Sequence, residues 1–146
     1  MRVADQTQRR IHTAECKRGN FLVVNVIRRA RHGIVVHARD VIANLRELAQ
    51  LTSTADGAQR LAWGPVWRDA RSWFKGKLAT LDITPEVDAA GNSWATLPGE
   101  SDRTVIIGSH LDSVPNGGWL DGALGMVAGL EALRMFRDQR PPLTIK

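Results

Sequence analysis

The feature that most constrains the fold lies between residues 104 and 146. Thr104-Val105-Ile106-Ile107 is a short apolar, β-branched run, the composition of a buried strand. Residues 122–137 then carry a helical pattern, Pro141-Pro142 ends it, and Leu143-Thr144-Ile145-Lys146 begins a second strand-like run. Two neighbouring strands joined through a helix run parallel, since a tight turn joins only antiparallel ones. The region therefore predicts a βαβ unit and, with it, an α/β fold. Between the first strand and the helix stands a Gly-rich loop, Gly108-Ser109-His110-Leu111-Asp112-Ser113-Val114-Pro115-Asn116-Gly117-Gly118-Trp119-Leu120-Asp121-Gly122, with one histidine and two carboxylates. The crevice at the carboxyl ends of such strands is where open α/β sheets bind ligands.

Upstream, Val41, Ile42, Leu45, Leu48 and Ala49, with Leu51 a further candidate, recur at helical spacing with Arg39, Asp40, Arg46 and Glu47 between them. They predict an amphipathic helix from residue 38, ended by the polar cluster Thr52-Ser53-Thr54-Ala55-Asp56-Gly57. Gly64-Pro65 opens a second helix running to about residue 81, with Trp67, Ala70, Trp73 or Phe74, and Leu78 facing inward. Thr84-Pro85-Glu86-Val87-Asp88 and Ser93-Trp94-Ala95-Thr96-Leu97, separated by Ala89-Ala90-Gly91-Asn92, predict a β-hairpin.

Charge divides the chain differently. Residues 1–40 hold nine Lys/Arg against three acids, a net +6 within a total of +5, so the remainder is −1. We read residues 1–37 as a basic leader containing two strand-like stretches, residues 21–27 and 33–37, and residues 38–146 as part of a catalytic-type domain. The leader has one aromatic residue, Phe21, and no nucleic-acid signature, so a nucleic-acid partner is not expected. Its apolar run is too short to span a bilayer and no cleavage pattern follows, so a membrane is not expected either. The single cysteine, Cys16, excludes an internal disulfide framework and fits a reducing, cytoplasmic compartment.

The loop carries the chemistry. His110 and Asp112 are two residues apart, so in extended backbone both project to the same side. That arrangement suits a metal-bound imidazole whose other ring N–H is taken by a carboxylate, which fixes the tautomer. Asp121 follows a turn at Pro115-Asn116-Gly117-Gly118, and one carboxylate can bridge two cations about 3.5–4 Å apart. Gly122 and Gly125 leave room for close approach of the helix backbone. The same residues have a plainer reading: Asp121 as the N-cap of the following helix, and His110 as a hydrogen-bonded histidine at a strand end. Trp119 and Met126 read as packing residues.

The segment Gly-Ser-His-Leu-Asp-Ser-Val-Pro-Asn-Gly-Gly-x-x-Asp-Gly-x-x-Gly, residues 108–125, closely resembles the metal-binding segment of M20-type metallohydrolases. Within them it is most similar to the amidase branch that contains N-carbamoyl-L-amino-acid hydrolases, allantoate amidohydrolases and β-ureidopropionases. The first helix, the stretch from Leu61-Ala62-Trp63 to Trp73, and the turn Asp88-Ala89-Ala90-Gly91-Asn92 are similar to the same branch. The resemblance implies the N-terminal part of a three-layer αβα zinc-hydrolase catalytic domain, cut at a strand, with the dimerisation domain of a homodimeric family absent. It implies His110 as a metal ligand, Asp121 as the ligand bridging two divalent ions, and Asp112 as the partner that orients His110. Zinc is the expected metal, with manganese, cobalt or nickel suited to the same donors. The implied reaction is hydrolysis of linear amide or ureido C–N bonds in a small-molecule substrate. An M20-like aminoacylase or peptidase, or a non-catalytic remnant acting as an interaction module, are the rival readings.

The resemblance also implies a Glu-Glu pair and further histidines beyond Lys146. Glu131 does not replace that base, because ten helical residues carry it about 15 Å along the axis from Asp121. The chain alone is therefore expected to be inactive.

Overall fold

A computed structural model describes residues 37–146. The readings made for residues 1–36, the basic leader and its strand-like stretches, lie outside the described residues. The described residues fall within one unit. Its elements are α1 (Ala38–Thr52), β1 (Ser53–Thr54), β2 (Gly57–Ala58), α2 (Pro65–Ala79), β3 (Glu86–Val87), β4 (Ser93–Trp94), β5 (Thr104–Val105), α3 (Ala123–Phe136) and β6 (Thr144–Ile145). The architecture is mixed helix and strand, as expected.

The helices form where periodicity placed them. Leu45 and Leu48 of α1 are buried against Ala70 of α2 and Ala123 and Val127 of α3, with Leu111 of the Gly-rich loop in the same cluster. Burial of each leucine side chain contributes roughly 1.5–3 kcal/mol. A second cluster joins Leu78, Leu81, Ile83, Leu97, Leu130, Leu133 and Ile145, so α3 spans both cores. At the rim, Glu47 of α1 pairs with Lys77 of α2 at 2.6 Å and accepts the Trp73 indole N–H at 2.8 Å. Those two hydrogen bonds, Lys77 first and then Trp73, pull the Glu47 carboxyl below its ordinary pKa.

β5 and β6 pair in parallel, Thr104 with Thr144 and Val105 with Ile145, and α3 crosses between them. β3 and β4 form the expected hairpin, Glu86 opposite Trp94 and Val87 opposite Ser93. Its turn closes on Asp88, whose Oδ1 accepts the Ala90 and Asn92 backbone N–H groups at 3.0 and 2.9 Å. Asp88 Oδ2 accepts the Trp94 indole N–H at 2.9 Å and the Asn92 amide at 3.0 Å. Gly91 supplies the left-handed residue the turn requires, φ +86°.

Two expectations change. The polar cluster after α1 is a tight hairpin and not a plain terminator: Ser53 pairs with Ala58 and Thr54 with Gly57. The residue 104 strand is shorter and less covered than its composition predicts, since Ile106 and Ile107 remain 65% and 40% exposed. Ile107 lies along Gly129 of α3, whereas among the described residues nothing buries Ile106 on the other face. Apolar content reports which residues favour burial; the layer that buries them has to come from elsewhere in a fold.

Candidate metal centre

Backbone pairing at the end of β5 delivers the Gly-rich loop, with Ile107 N–H donating to Lys146 O at 2.7 Å. From His110 to Ser113 the burial alternates: Leu111 and Ser113 are buried, while His110 and Asp112 are partly solvent-facing. The period of two puts the imidazole and the Asp112 carboxylate on one side. His110 Nδ1 lies 3.4 Å from Asp112 Oδ1 and 3.1 Å from the Asp112 backbone oxygen. Both partners only accept, so Nδ1 is the donor, which in a neutral ring leaves the lone pair on Nε2.

The start of α3 fixes the other side. Gly122 is the N-cap, with φ +64°, and the helix has no side-chain cap hydrogen bond. The Asp121 carboxylate is therefore not used as the cap that its position allows. A Cβ on Gly122 would stand 2.6 Å from Cε1 and Nδ1 of His110, and one on Gly125 would stand 2.6 Å from Ser109 Cβ. Glycine at both positions seats the first turn of α3 directly on Ser109 and His110. The residue next to Asp121 thus touches the His110 ring, and Asp121 itself is exposed. Between them the loop turns at Asn116, φ +56°, and Gly117 exchanges hydrogen bonds with Ala58 of β2 at 2.9 and 3.1 Å.

The donors fit a divalent cation in kind and not in number. An imidazole and an exposed carboxylate are metal-ligand types, yet a zinc site takes at least three protein ligands. Among the described residues no three His, Cys, Asp or Glu side chains cluster to hold one. Glu131 stands apart, buried on α3 with Arg134 Nε 3.3 Å from its carboxylate and no aligned hydrogen bond.

Arg60 escaped the sequence reading. It is fully buried behind the loop. Its Nε donates to Leu111 O at 2.7 Å, one terminal nitrogen to Asp121 O at 3.3 Å, and the other to Thr52 Oγ1 at 3.4 Å. Its backbone exchanges hydrogen bonds with Ser113 at 2.8 and 3.0 Å. Burial pulls the Arg60 pKa down, and the Asp121 and Asp112 carboxylates oppose that shift. Burial alternates from Gly57 to Arg60, turning Ala58 and Arg60 inward, but Gly-Ala-Gln-Arg carries no apolar alternation that would signal it in the sequence.

The chain is similar to known proteins in sequence and in fold. The Peptidase family M28 model matches residues 92–146, a neighbouring group to the M20 type that the motif resembles. The allantoate amidohydrolase of Bacillus subtilis is 35% identical over 94 residues, 62% of this chain and 23% of that protein. The N-carbamoyl-L-amino-acid amidohydrolase of Paenarthrobacter aurescens is 32% identical over 103 residues, 69% of this chain and 25% of that protein. The chain thus spans about a quarter of the length of the curated relatives it matches. A hydantoinase/carbamoylase family amidase from Burkholderia ambifaria superposes with a TM-score of 0.70 at 34% identity, over 77% of this chain and 29% of that one. Likeness in sequence to two kinds of amidohydrolase, together with likeness in fold to a hydantoinase/carbamoylase family amidase, supports the amidase branch as this chain's kin.

Proposed function

We propose that the chain carries one side of a divalent metal centre in a hydrolase of linear amide or ureido C–N bonds, with an N-carbamoyl-L-amino acid or allantoate-type substrate. The observation that carries this reading is the placing of His110 and Asp112 on one side of the loop, His110 Nδ1 standing 3.1 Å from the Asp112 backbone oxygen and 3.4 Å from its Oδ1, where the start of α3 at Gly122 packs on the imidazole. His110 would hold a cation through Nε2, Asp121 would bridge two cations, and Asp112 would keep the imidazole in the binding tautomer. When bound, the cations supply Lewis acidity toward a water nucleophile and toward the substrate carbonyl. Zinc matches the donors best, with manganese, cobalt and nickel as substitutes. The wider reading is an M20-type, three-layer αβα catalytic domain working in the cytoplasm as a homodimer; among the described residues no helix is long and apolar enough to cross a membrane.

The Peptidase family M28 match supports a second reading, an aminoacylase or peptidase acting on acyl-amide or peptide bonds. A non-catalytic platform is the third. The purified 146-residue chain is expected to release no free amino acid from an N-carbamoyl amino acid above a metal-free control, because two ligands do not complete the site. Release above that control overturns the assignment of a partial centre. The intact mass of the native gene product separates the remaining cases. A mass well above 16.1 kDa allows further ligands on the same polypeptide, and both substrate classes are then assayed on it. A mass at that value leaves a platform without catalysis.

A further inference from the structure

The geometry points to Arg60 as a positioning residue that sets the spacing of His110 and Asp121 by holding the Leu111 and Asp121 carbonyls on one guanidinium fork. The inference rests on the metal-centre reading for its consequence, and on the hydrogen bonds alone for its geometry. The two carbonyls belong to the residue between His110 and Asp112 and to the proposed bridging ligand itself. Arg60 meets them at 2.7 and 3.3 Å from beneath, while the ligand side chains face outward. A planar fork fixes two acceptors relative to each other, which a single-point ammonium does not. The third donor reaches Thr52 Oγ1, which donates in turn to Leu48 O at 2.7 Å, so the fork is referenced to the end of α1. Its backbone pairing with Ser113 prevents the guanidinium from sliding along the loop. Nine residues separate Leu111 from Asp121 through a turn with no other described side chain bonded to both ends, so the loop takes its span from Arg60.

The test compares the full chain with Arg60→Lys and Thr52→Val. Amide hydrogen exchange is read first, without metal. In Arg60→Lys the amides of Ser113, Gly117 and Asp121 are expected to exchange at least about tenfold faster, with those of α1 and α2 unchanged. Cobalt(II) affinity, read from its visible absorption, is expected to fall about 10–100-fold, the usual loss when a group orienting a ligand is removed. Thr52→Val removes the third contact and spares both carbonyls, so it should lower the melting temperature and leave cobalt affinity intact. Unchanged loop exchange in Arg60→Lys overturns the proposal, as does an equal loss of cobalt affinity in Thr52→Val. If Arg60→Lys does not melt cooperatively, Arg60→Ala is read with and without added methylguanidinium, and failure of that ion to restore loop protection overturns it. A parent chain that binds no cobalt shows that its two donors do not hold a cation alone, and the positioning role then stands or falls on loop exchange.

Discussion

Asp112 and Asp88 show what a single carboxylate does in two settings. The Asp112 carboxylate faces Nδ1 of a half-exposed histidine at 3.4 Å, beside the closer Asp112 backbone oxygen at 3.1 Å, so its effect is on the charge and orientation of the ring rather than on stability. Asp112→Ala is expected to weaken zinc binding about 10–100-fold by titration calorimetry, with little change in thermal unfolding. Asp88 has no burial and still ionises low, its pKa brought down to about 2 by the Trp94 indole N–H first and the Asn92 amides next. Because the folded value lies below the ordinary 3.8, its contribution is complete above pH 4 and is lost as pH falls toward 2. Trp94 fluorescence followed from pH 5 to 2 should report loosening of the turn in that window, and Asp88→Asn should remove the transition. An unchanged titration in Asp88→Asn would assign it to another group.

At the scale of elements, the junction between the loop and α3 sets how closely the helix start approaches His110. Gly122 is needed twice, for its positive φ and for the missing Cβ that would strike the His110 ring. Gly122→Ala is expected to cost about 1–3 kcal/mol from the backbone alone, with the steric contact in addition, measured by urea unfolding. Wild-type stability in that variant would show that the helix start relaxes freely. The helices were legible in the sequence because the apolar period of α1 and α2, and Pro65 at the first turn, agree with the packing that buries Leu45, Leu48 and Leu78. The β3–β4 hairpin was legible from Gly91 and Asn92. The β1–β2 hairpin was not, since two-residue strands of Ser, Thr, Gly and Ala carry no hydrophobic alternation. His110, Asp112 and Asp121 were legible as a motif. Arg60 was not, because an isolated arginine in a short segment reads as a surface residue until the strand that turns it inward is known.

For the molecule as a whole, the two cores and the loop form one object. Leu111 is at once a loop residue and a member of the cluster built by α1, α2 and α3. α3 ties that cluster to the second, around Leu130 and Ile145. Exposed Ile106 shows that the β5–β6 pair presents an apolar face the described residues do not cover. The loop's geometry is also borrowed from a stretch fifty residues earlier, through Ala58, Gln59 and Arg60, which bond to Gly117, Asn116 and the Leu111 and Asp121 carbonyls. The fifteen-residue motif is consequently not a portable cassette. Transplanted into the βα turn of an unrelated scaffold it would keep its histidine and aspartates and lose their spacing, so a graft has to carry the earlier segment as well.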